Sequence, residues 1–387
     1  MNRLIILILN ISYLFFALFL SACGGGGSSA STPAGERGGL ISSSYITSKQ
    51  AFPYKVDAYK IIYSTVDTKG SPIKASGLLA IPKKSGGKQS PLLSYQHGTI
   101  FLNKQAPSIS ATSISGISTL SGIGFIVSAP DYIGYGESAT MMHPYMHAET
   151  LANTSIDMLR ASKTFLKQKN IQLNDQLFLT GYSEGGYATL ALQKKLQESH
   201  SHEFTVTASA AAAGPFDLTE TAKTIANKTT NNKPAFMSFL LKAYDDIYGL
   251  NMISEMYQPP YVNIINTYFD GKHSSSKVTT DLSHTTSELL NAPFSTVLQG
   301  DEQHIIKDKL ALNNIYDWKP TAPTRFFHGI DDEVVPYHNA EKALNTMRNN
   351  GATNVSLGGC SQTSHVACVA PFIIDTVIFF RKHAHDL

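Results

Sequence analysis

Apolar and polar positions alternate in two different rhythms along this chain. Residues 58–82 read "AYKIIYSTVDTKGSPIKASGLLAIP", two β-type runs around Lys69-Gly70-Ser71-Pro72, which predicts a hairpin. A short apolar run over 90–99 ends at His97-Gly98, and Phe125–Ala129 predicts a buried strand that runs into Pro-Asp-Tyr and a glycine-rich loop. Leu151, Ser155, Met158, Leu159, Ser162, Phe165 and Leu166 then fall on one face at helical spacing. Residues 176–183 predict a strand entering a turn, 184–199 a helix, and 204–218 a strand of small residues. The pattern breaks over 219–318, which lacks strong strand signals and carries helical patches such as "AFMSFLLKAYDDIYGL". Strand, helix, strand and helix resume at 323–330, 338–350, 354–357 and 371–383. Strands that alternate with helices predict an α/β fold, a mostly parallel sheet covered on both faces. Ligands bind such sheets beyond the carboxyl ends of the strands.

The first residues follow another logic. Arg3 precedes an apolar run, Leu4 to Leu20, interrupted by Asn10, Ser12 and Tyr13 and ending in Leu20-Ser21-Ala22-Cys23. A plain membrane anchor is one reading of such a run. The ending resembles the lipobox of bacterial lipoprotein signal peptides. The resemblance implies that residues 1–22 are removed and that Cys23 is acylated. The glycine- and serine-rich stretch that follows builds no core, so 23–52 is expected to be a flexible tether. Gly24, rather than an aspartate, follows the cysteine, which in a Gram-negative source points to the outer membrane; a secreted protein is the alternative. With Cys23 lipidated, Cys360 and Cys368 remain of the three cysteines and are expected to form a disulfide in an oxidising compartment. A net charge of +2 on 387 residues argues against nucleic acid as a partner and against electrostatic attachment to a membrane surface.

The chemistry gathers at four places. Gly181-Tyr182-Ser183-Glu184-Gly185 lies between a predicted strand and a predicted helix, the context of a nucleophile elbow. Such a turn is strained and tightly packed, which requires glycine on both sides of the serine. A serine needs a base, and the base an orienting carboxylate. "FFHGIDDEVVPYHNA" (326–340) supplies the acid at Asp332, with Asp331 as the alternative. His365 is the candidate base, and His338 and His328 are its rivals. Two backbone N–H donors must hold the oxyanion. Glu184 is expected to give one and Thr99 the other, with Gly98 next to it.

These motifs, in this order, resemble the α/β-hydrolases over 53–218 and 319–387. "YQHGT", "APDYIGYGES", "HPY", "DMLRA", "GYSEGG" and "SHVAC" are more narrowly similar to the secretory lipase-like esterases of bacteria and fungi. That resemblance implies a Ser183–Asp332–His365 triad, a helical cap at 219–318, and hydrolysis of carboxylic esters with short to medium acyl chains. A serine exopeptidase of the prolyl-oligopeptidase type and a non-catalytic surface lipoprotein are the alternatives. Asp131 and Tyr132 end a strand on the catalytic side and are expected to hold its loop rather than to floor the pocket. His143 and His147 have a spacing that suits zinc, but Pro144 argues against a helix there, and neither metal nor cofactor is expected.

Overall fold

A computed structural model describes residues 36–361 and 364–387. Nine strands form one sheet in the order β1-β2-β3-β5-β4-β6-β7-β8-β9. They are β1 (Leu40–Lys49), β2 (Val56–Val66), β3 (Pro72–Pro82), β4 (Ser90–Gln96), β5 (Ile126–Pro130), β6 (Leu173–Tyr182), β7 (Val206–Ala212), β8 (Thr324–Gly329) and β9 (Val355–Cys360). Pairing is antiparallel from β1 to β5 through β2 and β3, and parallel from β5 through β9. The chain thus has the α/β fold that the alternation of elements predicts, in the α/β-hydrolase architecture that the motif resemblance implies.

The β2–β3 hairpin turns where expected. Asp67 Oδ1 accepts the N–H groups of Lys69 and Ser71, each at 2.8 Å. Helices cover both faces. On one, Ile114 and Ile117 of Ala111–Gly122 and Phe372 and Phe380 of Val369–Arg381 pack on Leu93, Val127 and Phe178 of the sheet. On the other, Leu159 and Phe165 of Ala148–Gln168 and Leu192 and Leu196 of Glu184–Ser199 pack on Leu79, Leu177 and Leu179. Residues 218–311 carry eight helices and, among the described residues, no strand. Their apolar side chains share one core with Tyr187, Phe326 and Met347 beneath them.

One expectation needs correcting. The tether does not reach residue 52, because Leu40–Lys49 is an edge strand paired with β2 from Leu40↔Tyr63 to Lys49↔Val56. The expected signal peptide, Cys23 and the tether up to residue 35 lie outside the described residues. Among the described residues no helix is long and apolar enough to cross a membrane.

Candidate active site

β6 delivers Ser183 to the carboxyl edge of the sheet, and Glu184–Ser199 begins directly after it. Ser183 has φ 61° and ψ −124°, a left-handed backbone that few non-glycine residues adopt. Neighbouring chains press closely on this turn. A Cβ on Gly181 would meet the carbonyl oxygen of Gly185, and one on Gly185 would meet that of Gln96. Glycine on either side is therefore a steric requirement. Glu184 is the first residue of its helix, so its N–H has no intrahelical acceptor.

Asp332 follows β8. Its Oδ1 accepts the N–H groups of Val334 and Val335, both at 2.9 Å, and its Oδ2 lies 2.5 Å from His365 Nδ1. His328 Nε2 stands 3.4 Å from the same Oδ2 and 2.9 Å from the carbonyl oxygen of Val335. Burial pushes the Asp332 carboxyl up. Hydrogen bonds from His328 and His365, the nearby His365 charge and the Val335 N–H outweigh that, and hold it well below the usual carboxylate range. Asp331 is exposed, and His338 opens the helix His338–Asn349 without bonding to Asp332.

His365 is held at three points. Nδ1 meets Asp332, its N–H donates to Glu333 Oε2 at 2.7 Å, and its carbonyl accepts from the Tyr182 hydroxyl at 2.7 Å. Nε2 is buried and has no partner among the described residues. The Cys360–Cys368 disulfide closes the loop that carries this histidine. Glu333 and Tyr182 were not legible as its supports, because each reaches it across a long sequence gap.

The His97–Thr99 loop lies against the serine. A Cβ on Gly98 would stand 3.7 Å from Ser183 Cβ, and Thr99 Oγ1 lies 2.9 Å from the Tyr145 hydroxyl. Asp131 and Tyr132 brace this loop from behind, with the Asp131 carbonyl oxygen 3.2 Å from His97 Nε2. The Asp131 carboxylate accepts from Ser76 Oγ, Ser108 Oγ and Ser108 N–H at 2.6, 2.6 and 2.8 Å. The Tyr132 hydroxyl donates to the His97 carbonyl, and its ring lies 4.1 Å from the His97 ring. His143 and His147 part company: His143 Nε2 meets Glu184 Oε1 at 2.6 Å, while His147 Nδ1 meets Thr150 Oγ1 at 2.6 Å. The His143–Glu184 contact had no signal in the sequence beyond the "HPY" string.

Ser183 opens into a small apolar cavity of about 50 Å³. Phe236, Met237 and Leu240 of the insert and Val334 and Val335 beside Asp332 line it. A larger cavity of about 460 Å³ lies between Ala111–Gly122 and Val369–Arg381, and Ser183 does not line it.

Residues 106–372 match the family model of secretory lipases. A secreted triacylglycerol lipase of Malassezia furfur is 23% identical over 281 residues, spanning 71% of this chain and 69% of that protein. A second secreted triacylglycerol lipase of that yeast is 25% identical over 270 residues, spanning 69% of this chain and 55% of its own length. The rice cell wall degrading esterase LipA of Xanthomonas oryzae superposes with a TM-score of 0.83 at 26% identity, over 90% of this chain and 100% of that one. Candida antarctica lipase A in its closed state shares the fold, with a TM-score of 0.66 at 16% identity over 91% and 84% of the two chains.

Proposed function

The chain belongs to the secretory lipase family, and from that premise we propose that it is a lipid-anchored serine esterase that cleaves carboxylic esters through an acyl-enzyme. One observation carries the reading. His365 is tied to Asp332 through Nδ1 while its buried Nε2 has no partner among the described residues, and Val334 and Val335 of the Asp332 loop line the same cavity as Ser183. Ser183 Oγ attacks the ester carbonyl carbon, and His365 Nε2 takes the hydroxyl proton. Asp332 keeps the other proton on Nδ1 and balances the imidazolium. The N–H groups of Glu184 and Thr99 receive the oxyanion. The carbon–oxygen bond to the alcohol then breaks as His365 returns its proton to the leaving oxygen. Water, deprotonated by His365, frees the acid by the same route. Residues 219–318 act as the cap that shapes the acyl pocket.

The small cavity supports a preference for short acyl chains. About 50 Å³ is far below the roughly 300 Å³ of a usual small-molecule site, so it favours short chains over long ones. Turnover of p-nitrophenyl esters from acetate to palmitate is expected to peak at or below six carbons. Leu240→Ala removes buried bulk from the wall. Two more buried methylenes contribute about 1.6 kcal/mol, so the octanoate-to-acetate ratio of kcat/KM should rise roughly tenfold. A peak at palmitate in the unaltered protein would contradict the confined pocket. Turnover of dipeptidyl amides matching that of the esters would return the reading to a peptidase.

The anchor rests on Leu20-Ser21-Ala22-Cys23. Growth with an alkynyl palmitate should label the full chain, and Cys23→Ser should lose the label and leave the membrane fraction. A Cys23→Ser protein that keeps both rules out lipidation at this residue.

A further inference from the structure

His143-Pro144-Tyr145 forms a turn that touches both proposed oxyanion donors. The Tyr145 hydroxyl meets Thr99 Oγ1 at 2.9 Å, and His143 Nε2 meets Glu184 Oε1 at 2.6 Å. The second contact is deeply buried, with side-chain exposures of 2% for His143 and 1% for Glu184. The other ring nitrogen of His143 lies 2.7 Å from the carbonyl oxygen of Ile133. A carbonyl only accepts, so Nδ1 carries a proton. The 2.6 Å contact holds a second proton, on the ring or on the carboxyl. In either form the pair is neutral as a whole.

No second ion pair reaches Glu184 among the described residues. Glu184 Oε2 is buried without a partner, and His143 is the only ion-pair partner of Glu184 among the described residues. The other imidazole facing it, His97, is pushed down by burial, and its two ring nitrogens lie against the carbonyl oxygens of Gly98 and Asp131 rather than against Glu184. Tyr132, Tyr135 and Tyr145 surround the pair, and burial, followed by the Glu184 charge, pushes their phenols up. Phe239 completes the aromatic box.

Glu184 carries its carboxylate on the same residue whose N–H faces the developing oxyanion. Without a proton partner, that buried charge would oppose the negative oxygen of the tetrahedral intermediate. We propose that His143 is a positioning residue for ester hydrolysis: it shares with Glu184 the proton that keeps the pair neutral as a unit, and so lets Glu184 serve as an oxyanion donor. The inference rests on the Ser183–His365–Asp332 reading. Like charges on the order of 6 Å apart, at an effective dielectric of about 20, slow the reaction about 100-fold.

The test uses the full chain and p-nitrophenyl butyrate. His143→Phe fills the aromatic box but supplies no proton. It should lower kcat about 100-fold with KM within threefold. It should also weaken binding of phenylboronic acid, whose serine adduct is a tetrahedral anion, by a similar factor. The double variant His143→Phe/Glu184→Met removes the stranded charge and should regain at least tenfold in kcat. Replacing both members of a buried ion pair by apolar groups is well tolerated, whereas removing one is not. A purely structural role predicts that the double variant recovers only as much kcat as its melting temperature and folded fraction explain. That outcome overturns the proposal, as does a His143→Phe protein with kcat within threefold of the unaltered chain. Should His143→Phe fail to fold, His143→Gln replaces it. Its amide still bonds to Glu184 but provides no charge, and the same two outcomes apply. Labelling of the unaltered chain by a fluorophosphonate at Ser183 is read in parallel. Its absence marks a failure of the hydrolase reading itself, whereas labelling together with an active His143→Phe variant marks a failure of this inference alone.

Discussion

Ser183→Ala will lower kcat for p-nitrophenyl butyrate by about five orders of magnitude or more, the scale seen when a triad nucleophile is removed, and will leave the fold intact. The hydroxyl is the only group lost. It sits on a half-buried residue at φ 61°, and among the described residues none of the hydrogen bonds that hold the turn uses it. Those bonds run through the backbone, from Ser183 N–H to the Ala212 carbonyl at 2.9 Å and from Tyr187 N–H to the Ser183 carbonyl at 3.0 Å. Alanine meets the same backbone strain as serine, so the melting temperature should move by no more than a degree or two. Kinetics and a thermal melt on the same preparation check both halves. A variant that keeps turnover within tenfold of the unaltered chain would sink the acyl-enzyme mechanism. Loss of activity together with loss of the melting transition would say only that the turn had collapsed.

Asp332→Asn should cost about 10⁴ in kcat, for a reason that the hydrogen bonds make specific. Oδ1 of Asp332 accepts two backbone N–H groups, from Val334 and Val335. An asparagine must keep its carbonyl oxygen there, because an NH₂ would face two donors. The NH₂ then points at His365 and donates to Nδ1. That drives the imidazole proton onto Nε2, the nitrogen that accepts one from Ser183 in the proposed mechanism. Assays at neutral pH should show the loss in kcat with KM little changed.

The same substitution carries a stability signature. The Asp332 carboxyl is held well below its ordinary value when folded. A depressed carboxyl stabilises the fold above the unfolded value of about 3.9 and loses that contribution as pH falls toward the folded value. Unaltered protein should therefore melt higher than Asp332→Asn at pH 7, and the gap should narrow between pH 4 and pH 2.5. A gap of equal size at both ends of that range would mean that the carboxylate is not held in its charged form.

The two variants probe residues that were legible before any fold was known, and other parts of the molecule were not. Leu40–Lys49 reads as the end of a tether because it follows a run of glycine and serine and holds polar residues at most positions. It is a strand because β2 offers it a row of backbone partners. Ala111–Gly122 went unread for a related reason. Its serine, threonine and glycine content is poor in helix formers, and Ile114 and Ile117 hold it against the sheet. Glu333 supports His365 from 32 residues away, and His143 supports Glu184 from 41.

The part of the site legible in the sequence is the part that the local backbone dictates. Gly181 and Gly185 flank a serine between an apolar strand and a helix, and Asp332 and His365 follow two later strands of the same alternation. Any chain with that order of elements carries those three residues to the carboxyl edge of a parallel sheet. Which insert side chains line the cavity, which group braces His365, and which imidazole lies against Glu184 emerge only in the folded chain. Those are matters of side-chain direction and of contacts between distant segments. Periodicity assigns a residue to a face, whereas a 2.6 Å contact between two buried groups exists only after the surrounding rings have packed and excluded water.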